Sequence, residues 1–134
     1  MTNDIKSPMR LDKNEITNTE LDSVEPWPES ISAKPGKHAM KELFGGEFSI
    51  NLYESEPGLL RFDDFPFDEF VHILSGSAVL TDAAGNSQTF NVGDSFVMSK
   101  GFSGTWELQG KYREMFIMET ESMNKGFEKL GLDD

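Results

Sequence analysis

Between Glu47 and Glu119 turn-forming residues interrupt the chain every few positions, and the stretches between them suit strands rather than helices. In "EFSINLY" the residues Phe48, Ile50 and Leu52 alternate with Ser49, Asn51 and Tyr53, a period of two. "EPGLL" reads as a turn and a new strand. "EFVHIL" and "SAVLTD" are apolar runs separated by Ser75 and Gly76. "DAAGNS" is a turn with Gly85-Asn86 at its tip, a pair suited to positive φ. "QTFNV", Gly93-Asp94 and "SFVM" repeat the scheme, and "TWEL" and "YREMFIME" flank "QGK", read as a tight hairpin around Gly110. Strands at this spacing indicate an all-β antiparallel sandwich or barrel. Helical signals sit only at the ends. "SAKPGKHAMKELFGG" reads as one short turn before Gly45, and "ESMNKGFEKLG" as a terminal helix stopped at Gly131.

The length of 134 residues suits one domain with a real core. All eleven phenylalanines lie between Phe44 and Phe127, so the expected division is an arm over 1–43, a barrel over 44–120 and a tail over 121–134. Met1 to Ser30 carry seven acidic and three basic side chains without a sustained apolar period, which reads as a partly ordered arm. The net charge of −12 argues against nucleic acid or an anionic membrane as partner, since both demand a basic patch. The chain has no cysteine, so thiolate chemistry and disulfides are excluded. No apolar run approaches the roughly 20 residues of a membrane span. The polar start lacks the apolar segment of a signal peptide, and a cytoplasmic location is the expectation.

Two half-motifs carry more information. Glu69 is followed by six residues and Gly76, and Gly93 by five residues, Ser99, one residue and Gly101, with sixteen residues between Gly76 and Gly93. With "PFDEFVHILSG", "GDSFVMSKGFSGTWE" and "YREMFI", the chain resembles the cupin superfamily, and within it the cupin-3 group. That group includes ethanolamine-utilisation Q proteins and ureidoglycine aminohydrolase domains. The resemblance implies an RmlC-like jelly-roll β-barrel, or double-stranded β-helix, with a site inside it. It also implies ligand positions. The two histidines of the first motif fall on Asp63 and Phe65, or on Phe62 and Asp64 after a one-residue shift. The histidine of the second motif falls on Gly104 and its proline on Ser99. Only Glu69 remains of four ligands, and the chain has just two histidines, His38 and His72. Borderline divalent metals favour several converging imidazoles, so no tightly bound transition metal and no cofactor is expected.

Asp63 and Glu69 are then the candidate catalytic carboxylates. In a barrel lumen without a cation, burial and mutual repulsion push such a pair toward protonation, the condition for general acid or base work. The alternative is that Asp63 and Asp64 form an exposed acidic turn before Pro66. Arg61 shares its parity with Asp63 and is a candidate clamp for an anionic ligand, or a partner neutralising Asp63 or Glu69. Trp106 is a candidate pocket wall and Tyr53 a candidate ligand contact at the barrel mouth. His72, three residues past Glu69, faces away from the lumen in a regular strand. His38 falls outside the barrel pattern and is expected to be solvated.

Three functions stay open on this reading. The first is a small polar or anionic molecule bound inside the barrel without a transition metal. The second is a metal-dependent hydrolase of the ureidoglycine aminohydrolase type. The third is a non-catalytic dimeric sensor or partner protein. A homodimer is expected, because Phe70, His72 and Leu74 would otherwise leave a large apolar patch on the outer sheet face.

Overall fold

A computed structural model describes residues 6–132. The elements are α1 (Lys13–Asn18), β1 (Asp22–Val24), β2 (His38–Gly45), β3 (Phe48–Ser55), β4 (Gly58–Phe62), β5 (Glu69–Asp82), β6 (Ser87–Phe90), β7 (Ser95–Met98), β8 (Gly104–Glu119) and α2 (Thr120–Leu130). The strands run β1-β2-β3-β8-β5-β6, with β4 added on β8 and β7 on β5. Every pairing is antiparallel.

β5 and β8 organise the barrel because each serves both of its halves. The end of β8 (Tyr112–Glu119) lies between β3 and the start of β5, and its start (Gly104–Leu108) lies between β4 and the end of β5. Gly76 makes the bend in β5. Its φ of 71° disfavours any side chain, and a Cβ there would lie 2.4 Å from the Gln109 carbonyl oxygen. The register slips on both sides of Ser75 at this point. "EFVHIL" and "SAVLTD" are therefore one bent strand, and "QGK" is not a hairpin: Gly110 sits opposite Gly76 and β8 continues through it. A glycine that bends a long strand and one that reverses the chain leave the same local signal.

The sheet also begins earlier than the phenylalanines suggest. "HAMKELFG" is strand β2, not a helical turn, because it pairs with β3 from His38↔Ser55 to Gly45↔Ser49. Tertiary pairing outweighs a weak local helical preference. β1 adds to the edge through Asp22↔Met40 and Val24↔His38, so the expected arm contributes two strands to the sheet. At the other end the terminal helix is present, and Gly131 caps it at φ 77°.

The expected arm also packs on the outer face of the sheet. Leu21 and Ile16 join Ala39, Leu52, Leu74 and Met115 in a second apolar cluster outside the barrel. α1 has six residues, too few to hold by itself. Arg113 pins it. The guanidinium donates from Nε to the Ile16 carbonyl at 2.9 Å, from Nη2 to the Thr19 carbonyl at 3.0 Å and from Nη1 to Glu54 at 3.1 Å. Carbonyls at a helix C-terminus lack internal partners, and a cation satisfies them well. Arg113→Ala is expected to cost about 2 kcal/mol, the scale of charge-assisted hydrogen bonds, and to speed tryptic cleavage at Lys13. Denaturant melts and timed digestion measure both, and an unchanged cleavage rate would refute the pinning role.

Candidate functional site

The barrel encloses a cavity of about 40 Å³, room for roughly three water molecules. Its walls are mainly aromatic and aliphatic, including Phe62, Phe65, Phe67 and Trp106. Three ionisable side chains line it: Glu69, Glu114 and Tyr53.

Strand alternation places them. Glu69 opens β5 on the inward parity shared with Val71 and Ile73, all buried. Glu114 sits on β8 between buried Tyr112 and Phe116, opposite Tyr53 on β3 and Ile73 on β5. The two carboxyls are 7% and 3% exposed, so they ionise against a low dielectric. Burial pushes the Glu69 pKa well above the usual carboxylate range, and the Glu114 charge pushes it further. Burial likewise raises Glu114 to about 8, against a smaller opposing effect from the Tyr112 hydroxyl, which donates to Oε1 of Glu114. Among the described residues no Lys, Arg or His side chain lines the cavity to offset these costs.

Around the acids runs a directional chain of hydrogen bonds. His38 Nε2 donates to the Glu25 carbonyl, which leaves Nδ1 as acceptor for the Tyr53 hydroxyl at 2.9 Å. Tyr53 in turn accepts from the Trp27 indole N–H at 3.0 Å. Burial lowers the His38 pKa more than the Glu25 bond raises it, in keeping with this neutral tautomer. The Trp106 indole N–H is different. It is buried, and among the described residues no acceptor meets it in good hydrogen-bond geometry. Its nearest polar neighbour is the Tyr112 hydroxyl, whose anion it favours.

Of the residues singled out from sequence, Glu69, Trp106 and Tyr53 meet at the cavity. Arg61 and Asp63 do not. They share a face, as their parity requires, but it is the outer one, where both side chains are exposed. Phe62 and Phe65 point inward instead. Asp63 accepts a 3.3 Å hydrogen bond from Ser103, and Asp64 takes φ 56°, so this segment is the acidic turn before Pro66. The lumen acid beside Glu69 is therefore Glu114, which the motif comparison passed over. Its signal was available: an acidic residue in the inward register of Tyr112, Phe116 and Met118. His38, expected to be solvated, is 3% exposed and bonded through both ring nitrogens.

The residues present do not fit the transition metal that the motif positions imply. Phe65 is an apolar wall, and at Gly104 (φ 154°) a Cβ would lie 2.0 Å from the Thr81 carbonyl oxygen. Among the described residues no three or more His, Cys, Asp or Glu side chains stand together as a metal site.

A family model for the EutQ-like cupin domain matches residues 42–116, more than half of the chain. The chain belongs to the EutQ-like cupin family. Similar solved structures include a putative ethanolamine utilization protein Q from Salmonella typhimurium, at TM-score 0.54 and 15% identity, covering 62% of this chain and 69% of that one. The Clostridium difficile EutQ protein aligns at TM-score 0.56 and 16% identity, over 70% of this chain and 79% of its own. A Pseudomonas syringae protein of unknown function aligns at 0.67 and 22% identity over 74% of this chain, which spans 44% of that protein. These likenesses establish the cupin fold. No protein of curated function matches the sequence.

The family match divides this cupin's pocket. Glu69, Glu114, Tyr53 and Trp106 lie within it. The half-buried lining residues, Trp27, Met40, Phe127 and Leu130, lie outside it. The first and last segments of the chain thus complete a pocket whose acids come from its middle.

The acid pair has a consequence for stability. A carboxyl whose folded pKa exceeds its unfolded value leaves the native chain holding more protons, so its favourable contribution is present at low pH and lost as pH rises through the folded pKa. For Glu114 that window runs from about 4.5 to about 8. Glu114→Gln keeps an acceptor for Tyr112 and cannot ionise. It is expected to raise the melting temperature at pH 8 more than at pH 5. An equal shift at both pH values would show that Glu114 does not carry this proton.

Proposed function

We propose that this cupin binds a small, polar, positively charged nitrogen compound between Glu69 and Glu114, without a transition metal. The observation that carries the reading is a buried pair of carboxyls in an aromatic cavity that, among the described residues, no basic side chain lines. An ammonium group lowers the cost of ionising both acids, and aromatic faces such as Phe62 and Trp106 add attraction for a cation. An anion has no such support, since Arg61 is exposed on the outer face. The metal-dependent hydrolase reading fares worse, because the lumen offers two carboxyls and no imidazole.

Binding of an ammonium to a protonated pair must release protons. Affinity is therefore expected to rise with pH toward 8, then fall as the amine itself deprotonates near ~10.4. Calorimetric titration with methylammonium and with acetate, in buffers of different ionisation enthalpy, measures affinity and proton release together. Methylammonium is expected to bind with proton release and acetate to fail. Glu69→Gln is expected to weaken methylammonium binding at least tenfold, the scale of a ~1.4 kcal/mol charge-assisted contact. Tighter binding of acetate would overturn the proposal.

The assembly we propose is a cytoplasmic homodimer through the outer sheet face. One cross-strand row on that face, Val97–Phe70–Ile117–Ile50–Phe44, crosses five strands without a charged side chain. Val97 is 64% exposed and Phe70 38%. The neighbouring Leu74 is already packed in the cluster that holds Ile16 and Leu21, so the row is what remains uncovered. Copies of net charge −12 meet most cheaply on such a neutral patch. Light scattering at micromolar concentration is expected to give twice the chain mass, and Phe70→Glu to give the monomer. A monomer mass for the unaltered chain would refute the dimer.

A further inference from the structure

The two lumen acids are buried alike but partnered differently. The Tyr112 hydroxyl donates to Oε1 of Glu114, whereas among the described residues no hydrogen bond bears on the Glu69 carboxyl. Tyr112 is 1% exposed and stands two positions before Glu114 on β8, so strand alternation turns both side chains to the same face. The Trp106 indole N–H beside the hydroxyl can only donate, so it meets the oxygen's lone pairs and does not compete for Glu114. Burial, and then the Glu114 charge, keep Tyr112 itself protonated, so it stays a donor while the carboxyls titrate.

The other titratable groups around the pair do not reproduce this arrangement. Tyr53, opposite Glu114 on β3, points its proton at His38 on β2 and accepts from Trp27. Opposite Glu69, β7 places Met98. The lining from β4, from α2 and from the segment 63–68 is apolar. A carboxyl that accepts a hydrogen bond in its charged form is favoured in that form, and two interacting carboxyls lose their protons in separate steps.

We propose that Tyr112 is a positioning residue of this pocket: by donating to Glu114 it makes that carboxyl the first of the two to yield its proton, so that a cationic nitrogen meets its carboxylate on β8. This rests on the reading that the acid pair holds such a nitrogen, and it adds where the charge resides and what places it. The pocket then exchanges one proton for one positive charge and is neutral before and after binding. A second ionisation would have no second positive charge to offset it. The Tyr112 bond opposes the effect of burial on Glu114, so without that bond the proton leaves only at higher pH.

The test compares methylammonium binding by the full chain and by its Tyr112→Phe variant between pH 6 and pH 9. Below the carboxyl's pKa, each unit by which that pKa rises weakens binding about tenfold. The variant is expected to bind about tenfold more weakly at pH 7, the effect of one hydrogen bond to a charged group, and the gap is expected to narrow toward pH 9. Lost packing alone would lower affinity by the same factor at every pH, and that result would overturn the positioning role. Should the variant fold poorly, carbon NMR of the glutamate carboxyls in the unaltered chain reads the order of ionisation directly, with no ligand present. The Glu114 signal, identified by its disappearance in Glu114→Gln, is expected to take the larger part of its shift in the earlier of the two steps. A Glu69 signal that moves first would overturn the proposal. Failure of methylammonium to bind, with Glu114 still first to titrate, would overturn the amine reading and leave the role of Tyr112 standing.

Discussion

Two carboxyl groups inside an apolar barrel, with no Lys, Arg or His among the described residues beside them in the cavity, are the constraint around which this molecule is arranged. Moving an ionised carboxylate out of water costs several kcal/mol even after relaxation. Glu69 and Glu114 are nonetheless both held inward by strand alternation, on β5 and β8. The lumen carries this burden because its other residues are large and apolar. Phe62, Phe65, Phe67, Phe96 and Trp106 make successive ring contacts at 5.0 to 6.3 Å, several of them edge to face. Burial therefore raises the pKa of both acids and favours their protonated forms.

How far the sequence foretold this depends on the range over which each signal acts. The strand pattern, the family and the inward position of Glu69 follow from local alternation and short motifs, and all were legible. The partner of Glu69 was not found, because matching a motif to metal ligands drew attention to residues 62–65. There the parity breaks: Asp64 takes a left-handed conformation, and Asp63 turns outward while Phe65 turns in. Glu114 lies 45 positions from Glu69 and joins it only through the pairing of β8 with β5. His38 was misjudged for a related reason. A histidine among lysines and glycines looks solvated until β1 and Trp27 cover it.

The pocket also joins two regions of different character. Its floor belongs to the family core. The rest of its lining includes residues of the first and last segments, which meet where a Cβ on Gly131 would touch Pro28 at 2.9 Å. The first segment is tied down by Trp27 on Tyr53, by the Ile31 carbonyl accepting from the Arg61 backbone N–H at 2.7 Å, and by Arg113 at α1. The second is set by Gly126, which lets α2 approach so closely that a Cβ there would lie 2.2 Å from the Phe67 ring. The pocket's acids thus come from the family core, and part of its apolar lining from outside it.

Gly104 shows how tightly the two long strands are drawn together. Its backbone sits so close to its neighbours that a Cβ there would lie 2.0 Å from the Thr81 carbonyl oxygen and 2.9 Å from the Phe102 ring. Any side chain placed at this position meets a wall first. A ligand donor therefore cannot be installed at Gly104 by substitution alone, since the change would first disturb the pairing of Asp82 with Gly104 between β5 and β8.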